Sequence, residues 1–379
     1  MLGKYFKGVG MLVGMIFGAG IFALPFVIVK AGIFWGIFHF FLALILMIFF
    51  HLLYGEIAYF SGEKKRFTGY AELFLGSWAK RFAFLVTIFT DYGSLLVYGV
   101  LGGIFLTNIF NFSSFVLSLI FLIGGGILIF SHFEKIAGLN FFLSLALAGL
   151  VVFLFFNAFP HIQINNFSFN DFFRQISGSN WFLPYGIWIF ALAGFSALPE
   201  VRDIACSANG GVTKSPIKTF KRIILISLLL CAVLYSIFIF TVIGLSGGKT
   251  TEDSLAGLVN ILGRPGILAG SILGFLAVFT SFIALGADLK NIFHYDFRFP
   301  KWLAWLNVVI PPIVLFLLGL KNFIGILGII GAIGLGFFGI LIILMARKLP
   351  HHQNSRKFLF FSWFFCILIL VGVLATLIS

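Results

Sequence analysis

Long apolar runs separated by short polar segments dominate the chain. Eleven such runs stand out, near residues 9–29, 33–60, 82–107, 114–131, 137–159, 181–200, 221–245, 266–290, 302–319, 322–346 and 358–378. Each approaches the roughly 20 apolar residues that a helix needs to cross a bilayer. The pattern predicts an all-α integral membrane protein of about eleven transmembrane helices. Ten-residue segments of alternating polarity, the mark of a membrane β-barrel, are absent from the sequence. The connecting segments are short, so residues 1–379 read as a single transmembrane domain. Thr68–Trp78 is amphipathic and is expected to lie on the inner membrane surface.

Composition agrees with this pattern. The chain is 61% hydrophobic and only 10% charged, far too little charge to cover the surface of a soluble domain. Most residues must therefore face the lipid bilayer or another helix. A net charge of +13 raises the question of nucleic acid, but its placement answers otherwise. With the N-terminus in the cytoplasm, twenty of the 25 lysines and arginines fall on the inner side. That asymmetry is what membrane insertion selects. It predicts a multi-pass protein of the cell (inner) membrane, with its N-terminus cytoplasmic, its C-terminus outside and no nucleic-acid partner. Cys206, Cys231 and Cys366 lack metal or redox spacing and read as small core residues. The first apolar run lacks a small-x-small cleavage site and is expected to be retained as the first helix.

An internal repeat carries more. The first run holds Ala19-Gly20-Ile21-Phe22-Ala23-Leu24-Pro25, and the sixth holds Ala193-Gly194-Phe195-Ser196-Ala197-Leu198-Pro199. Five of the seven positions are identical, 174 residues apart. Five helices separate the copies, so the second crosses the membrane in the opposite direction, as in inverted-repeat transporters. Residues 1–160 would form the first repeat, 161–346 the second, and 347–379 an eleventh helix. Glycine weakens a helix by about 1 kcal/mol relative to alanine, and proline removes a backbone donor. Both copies therefore mark places where a helix breaks. In hydrocarbon, unpaired backbone groups survive only where they line a cavity. The amides that open the second half of a broken helix suit a carboxylate, and the carbonyls that end the first half suit an ammonium or a sodium ion. Two facing breaks thus offer both ends of an α-amino acid site from main chain alone.

Gly18-Ala-Gly-Ile-Phe-Ala-Leu-Pro25 resembles the first-helix signature of the amino acid/polyamine/organocation superfamily. Within it, the likeness is greatest to the amino acid/auxin permeases and the bacterial hydroxy/aromatic amino acid permeases. Phe190-Ala-Leu-Ala-Gly-Phe-Ser-Ala-Leu-Pro-Glu200 resembles the sixth helix, Tyr54-Gly-Glu-Ile-Ala58 the end of the second, and Phe279-Thr-Ser-Phe-Ile-Ala-Leu-Gly286 the eighth. The resemblance implies a LeuT-type five-plus-five inverted repeat with helices 1 and 6 broken, helices 3, 4, 8 and 9 as scaffold, and alternating access. It puts the substrate carboxylate on Gly18, Ala19 and Gly20, beside Ile21. The substrate amine falls to carbonyls around Phe190, Ala191 and Ala193, beside Gly194. It also maps a Na+ site onto carbonyls of Gly14 and Phe17 with the hydroxyls of Thr280 and Ser281. A lysine that some proton-coupled relatives carry in helix 5 is missing.

The remaining candidates follow from the cost of polar groups in lipid. Asp91 lies ten residues past Arg81, about 15 Å into the membrane, where a carboxylate costs roughly 2.5–3.5 kcal/mol to insert. It reads as a proton carrier or a partner for a substrate amine, and alternatively as a structural hydrogen-bonding group. Tyr92 and Tyr98 share its helix and could bond substrate or simply pack. Thr280 and Ser281 could equally bond back to their own helix. Glu56 and Glu200, near helix ends, are gate partners for basic residues or solvated carboxylates. His39 and His51 read as satisfied helix histidines. Gly325, Gly328, Gly331 and Gly334, three residues apart, let helices approach closely, with mobility as a secondary reading.

The sequence thus points to a secondary transporter importing amino acids by symport with H+ or Na+, with no other cofactor. The small Ala191, Ala193 and Ser196 leave room for a bulky apolar side chain. Amines or polyamines on the same fold, or a sensor without transport, remain alternatives. A metal-ion carrier would need an acidic side chain in Gly18–Ile21, and an enzyme a polar catalytic cluster. Neither is found in the sequence.

Overall fold

A computed structural model describes residues 2–63, 65–130, 136–167, 179–206, 216–353 and 355–378. Lys64, Lys135, Arg174 and Lys214, four of the charges used above to orient the chain, lie outside them. In chain order the helices are α1 (Leu2–Ile16), α2 (Gly20–Ala31), α3 (Ile33–Phe60), α4 (Phe67–Leu75), α5 (Ser77–Phe110), α6 (Ser114–Phe130), α7 (Ile136–Ala158), α8 (Leu183–Ala191), α9 (Leu198–Cys206), α10 (Pro216–Ser246), α11 (Val259–Asn291), α12 (Lys301–Leu317), α13 (Phe323–Ile329), α14 (Leu335–Ala346) and α15 (Arg356–Ile378). Among the described residues, seven stretches are long and apolar enough to cross a membrane unbroken by a sharp bend. A further crossing is the bent pair α1 and α2, whose axes meet at 54°. Three shorter apolar helices, Ser114–Phe130, Leu145–His161 and Lys301–Leu317, accompany them.

Both breaks expected from the glycine and proline spacing are present. The chain leaves α1 at Ile16 and re-enters helix at Gly20. It leaves α8 at Ala191, passes through a short 3-10 turn at Phe195–Ala197 and re-enters at Leu198. The two breaks touch. A Cβ on Gly20 would lie 2.7 Å from Ala191 Cα, so only glycine lets the segments meet.

The small-residue stripe near the C-terminal end also works by close approach. A Cβ on Gly331 would fall 1.8 Å from the Gly186 carbonyl oxygen, which brings this crossing and α8 into backbone contact. Here the helix widens into a π segment, Ile330–Gly334, between α13 and α14. Such bulges concentrate at functional places in helices.

The amphipathic segment after α3 is helical over Phe67–Leu75 and stops at Gly76, whose φ is +90°. One face packs on the protein: Phe67, Thr68, Tyr70 and Ala71 are buried. Phe67 stacks on Phe338 at 3.6 Å, and the Thr68 hydroxyl donates to Asp296 Oδ2 at 2.7 Å. The buried face packs against α5 and α14.

Candidate functional site

The two breaks expose main-chain groups toward each other. Ala19 and Gly20 stand at the start of α2, where helix geometry leaves amides without an i−4 carbonyl. Gly18 N–H donates to the Ile16 carbonyl at 2.9 Å. Tyr235, fully buried on α10, spans both breaks. Its hydroxyl is 2.8 Å from the Ile16 carbonyl and 2.8 Å from the Ala191 carbonyl. With one proton, it donates to one at a time. Its ring stacks on Phe17 at 5.3 Å. On the other side of α9, the Gly194 N–H donates to His51 Nε2 at 3.1 Å. His51 Nδ1 lies 2.7 Å from the Met47 carbonyl, so the proton sits on Nδ1 and the ring is a neutral acceptor toward the break.

A cavity opens between the breaks and α5. Its α5 wall is Thr87, Thr90, Asp91, Ser94 and Tyr98, spaced so that they share one face of the helix. Asp91 is half-buried on this face and has no ion-pair partner among the described residues. The break residues Gly18, Ala19, Gly20, Phe190, Ala191, Ala193 and Gly194 line the opposite side. Aromatic rings of Tyr54, Phe67, Phe190, Phe195 and Phe338 complete it. Phe195 and Phe338 stack at 5.9 Å.

Charged side chains close one end. Arg66 Nη1 is 3.0 Å from Asp288 Oδ1 on α11 and 3.1 Å from Glu200 Oε1 on α9. Burial works against the Arg66 charge, but the carboxylates of Asp288 and Glu200 outweigh it and hold its pKa above the ordinary guanidinium value. Beyond Arg66 lies a second, polar depression that includes Lys65, Glu72, Lys80 and Asp296. Arg66 and Pro199 line both spaces, so this cluster is the partition between them.

The loop between α10 and α11 is tied to the neighbouring helices. The Ser254 hydroxyl donates to the Phe22 carbonyl on α2 at 2.7 Å. Asp253 pins the loop, accepting from Thr251 Oγ1 at 2.7 Å and from Asn108 Nδ2 on α5 at 3.2 Å.

The structure brings together most of the residues singled out in the sequence. Gly18, Ala19, Gly20, Phe190, Ala191, Ala193, Gly194, Asp91 and Tyr98 share one cavity. Tyr92 does not belong to it. Its hydroxyl donates to the Asn307 carbonyl on α12 at 2.5 Å, because it lies on a different face of α5 from Asp91's neighbours. Ile21 and Phe17 are buried behind the break, and Gly14 sits within α1, just before it. Thr280 donates to carbonyls of its own helix, Leu276 at 3.0 Å or Ala277 at 3.1 Å. Ser281 is nearer the break, its hydroxyl 3.5 Å from where a Gly18 Cβ would lie. Glu200 joins the partition, whereas Glu56 pairs elsewhere, with Lys221, His351 and His352.

Several site residues were missed. The threonines and serine beside Asp91 were readable as a helical stripe. Asp288, an acid inside an apolar run, carried the same signal as Asp91. Tyr235 carried none, since its role depends on which helices meet. His51, read as a satisfied helix histidine, does bond to Met47 of its own helix, and its contact with Gly194 was not legible.

Facing helix breaks and a lined cavity closed at one end by a charged partition are the site of a secondary transporter of amino acids. The chain belongs to the tryptophan/tyrosine permease family, whose profile matches residues 1–379. Two solved transporters share the fold. MhsT, crystallised in complex with L-phenylalanine, superposes with a TM-score of 0.69 at 17% identity, over 98% of this chain and 97% of that one. Mhp1, a nucleobase-cation-symport-1 family transporter solved in a closed conformation with bromovinylhydantoin bound, gives 0.66 at 12% identity, over 99% and 90%. At such identities the likeness establishes the LeuT-type fold alone. A comparison with curated protein sequences gives no match.

Proposed function

We propose that the chain imports aromatic amino acids, tryptophan or tyrosine, by proton-driven alternating access. One observation carries the reading: the cavity joins the two helix breaks to a ring of aromatic side chains and to a carboxylate, Asp91, that has no ion-pair partner among the described residues, whereas the cavity's other carboxylate, Asp288, is held by Arg66. The α2 amides at Ala19 and Gly20 would take the substrate carboxylate. Carbonyls of the α8 end would take the ammonium. Phe190, Phe195 and Phe338 would receive the side chain, where aromatic pairs add about 0.5–1.5 kcal/mol beyond burial. The family's name and the phenylalanine bound to MhsT agree with this choice.

Asp91 is the proposed proton carrier. It faces the cavity unpaired, so it can load a proton with substrate and release it on the other side. A second reading, Na+ coupling at Gly14, Phe17, Thr280 and Ser281, draws support from the nearness of Ser281 to Gly18. The Thr280 hydroxyl donates its hydrogen to its own helix, which leaves its oxygen lone pairs available to a cation. With the N-terminus in the cytoplasm, the orientation that the lysine and arginine asymmetry supports, the Arg66 partition would be the inner closure.

Substrate class is tested by binding. Purified protein should be stabilised against heat by tryptophan or tyrosine, less by leucine and least by glycine. Equal stabilisation by glycine and tryptophan would remove the aromatic assignment.

A further inference from the structure

Away from the transport cavity, two histidines and a glutamate from distant parts of the chain converge on one point. Glu56 ends the last full turns of α3, and its side chain is only 8% exposed. His351 and His352 lie in the turn between α14 and α15. Glu56 Oε2 is 3.2 Å from His351 Nε2 and 2.7 Å from His352 Nε2. One ligating atom from each of the three residues falls within 4.8 Å of the others. The imidazoles are held in place: His352 stacks on Phe358 at 4.1 Å, His351 leans on Phe60 at 5.0 Å, and the two rings lie 4.2 Å apart. Glu56 Oε1 is taken by the Lys221 ammonium.

We propose that Glu56, His351 and His352 form a site for a single transition-metal dication, with Zn2+ the best match. Two imidazoles and a carboxylate are the donor set of many zinc sites, with a solvent position left over. Hard cations such as Mg2+ prefer oxygen donors and are disfavoured. Ligand separations of about 3–3.5 Å follow from metal–ligand bonds of roughly 2.0–2.2 Å, so the imidazoles need only small movements. Each Nε2 gives its proton to Nδ1 by tautomerisation and offers its lone pair, while Glu56 uses Oε2. Lys221 stays on Oε1 and opposes the cation by charge. The solvent-facing edge of His351, 41% exposed, provides the way in.

The site also has a mechanical consequence. The ligands tie α3 to the connection between α14 and α15. On the alternating-access reading, helix motions change distances of this kind, so bound metal would slow the cycle. That second step rests on the proposed transport; metal binding itself does not.

The test uses the full-length protein, stripped with a chelator and titrated with Zn2+ alone by calorimetry. One saturable equivalent is expected in the wild type. It should be lost in the His351→Ala/His352→Ala double variant, whose thermal unfolding without metal stays near wild type. Lys221→Met should bind Zn2+ about tenfold more tightly, equivalent to roughly 1.4 kcal/mol, because it removes the opposing charge and leaves the ligands. No saturable binding in the wild type, or unchanged binding in the double variant, would overturn the site. In proteoliposomes, Zn2+ should slow uptake by the wild type but not by the double variant. Equal inhibition of both would overturn the mechanical role, and uptake absent in both without metal would instead count against the transport reading.

Discussion

Arg66 Nη1 lies 3.0 Å from Asp288 Oδ1 and, through the same nitrogen, 3.1 Å from Glu200 Oε1. One cation therefore holds α11 and α9 together across the end of the cavity. It enters from the loop before α4, so three separate parts of the chain share a single charge cluster.

Removing that charge should open the partition. Arg66→Ala leaves Asp288 and Glu200 facing one another without a counter-ion, and such buried charge loses on the order of 1–3 kcal/mol or more. Uptake should fall by about tenfold or more while substrate binding persists. Arg66→Lys should restore only part, since a lysine is a point charge without a planar fork. Full uptake by Arg66→Ala would show that the cluster does not gate.

Asp91→Asn keeps the shape of the cavity wall but cannot carry a proton. Accumulation driven by a pH gradient should be lost, while exchange of labelled for unlabelled substrate across the membrane continues. Undiminished pH-driven accumulation in this variant would exclude Asp91 from coupling.

Tyr235→Phe removes a hydroxyl that reaches both breaks and leaves the Ala191 carbonyl short of a donor, while the Ile16 carbonyl keeps the Gly18 N–H. An unsatisfied buried acceptor costs about 1–3 kcal/mol, so kcat/KM for uptake should drop by roughly tenfold. A drop below about twofold would show that the bridge adds little to the site.

Gly331→Ala should fail for packing reasons alone. The new Cβ would sit 1.8 Å from the Gly186 oxygen, and forced overpacking costs about 1–3 kcal/mol. Thermal unfolding in detergent should fall by several degrees, whereas Gly124→Ala, with nothing within 4 Å of the added atom, should leave it unchanged.

These residues also show what the sequence can reveal. Gly20, Gly194, Pro25 and Pro199 disclosed both breaks, because a broken helix in lipid needs weak backbone at a definite place. Asp91 disclosed the wall of α5, because a carboxylate in a membrane span needs a reason. Partnerships between helices were not legible. Nothing along the chain says that Tyr235 reaches Ile16 and Ala191, or that His51 accepts from Gly194. The position of Tyr92 beside Asp91 suggested a shared role, yet adjacent residues on a helix point about 100° apart, and its hydroxyl goes to α12 instead. For Thr68–Trp78, amphipathicity showed that a face would be buried but not that α5 and α14 would receive it.

The most direct test of proton-driven import is uptake of labelled tryptophan and tyrosine into proteoliposomes under a pH gradient, a sodium gradient or neither. The account predicts accumulation above equilibrium under the pH gradient alone, abolished by a protonophore. Accumulation under sodium alone would contradict the role given to Asp91, and failure to accumulate either amino acid under any gradient, with reconstitution verified, would contradict the transport proposal itself.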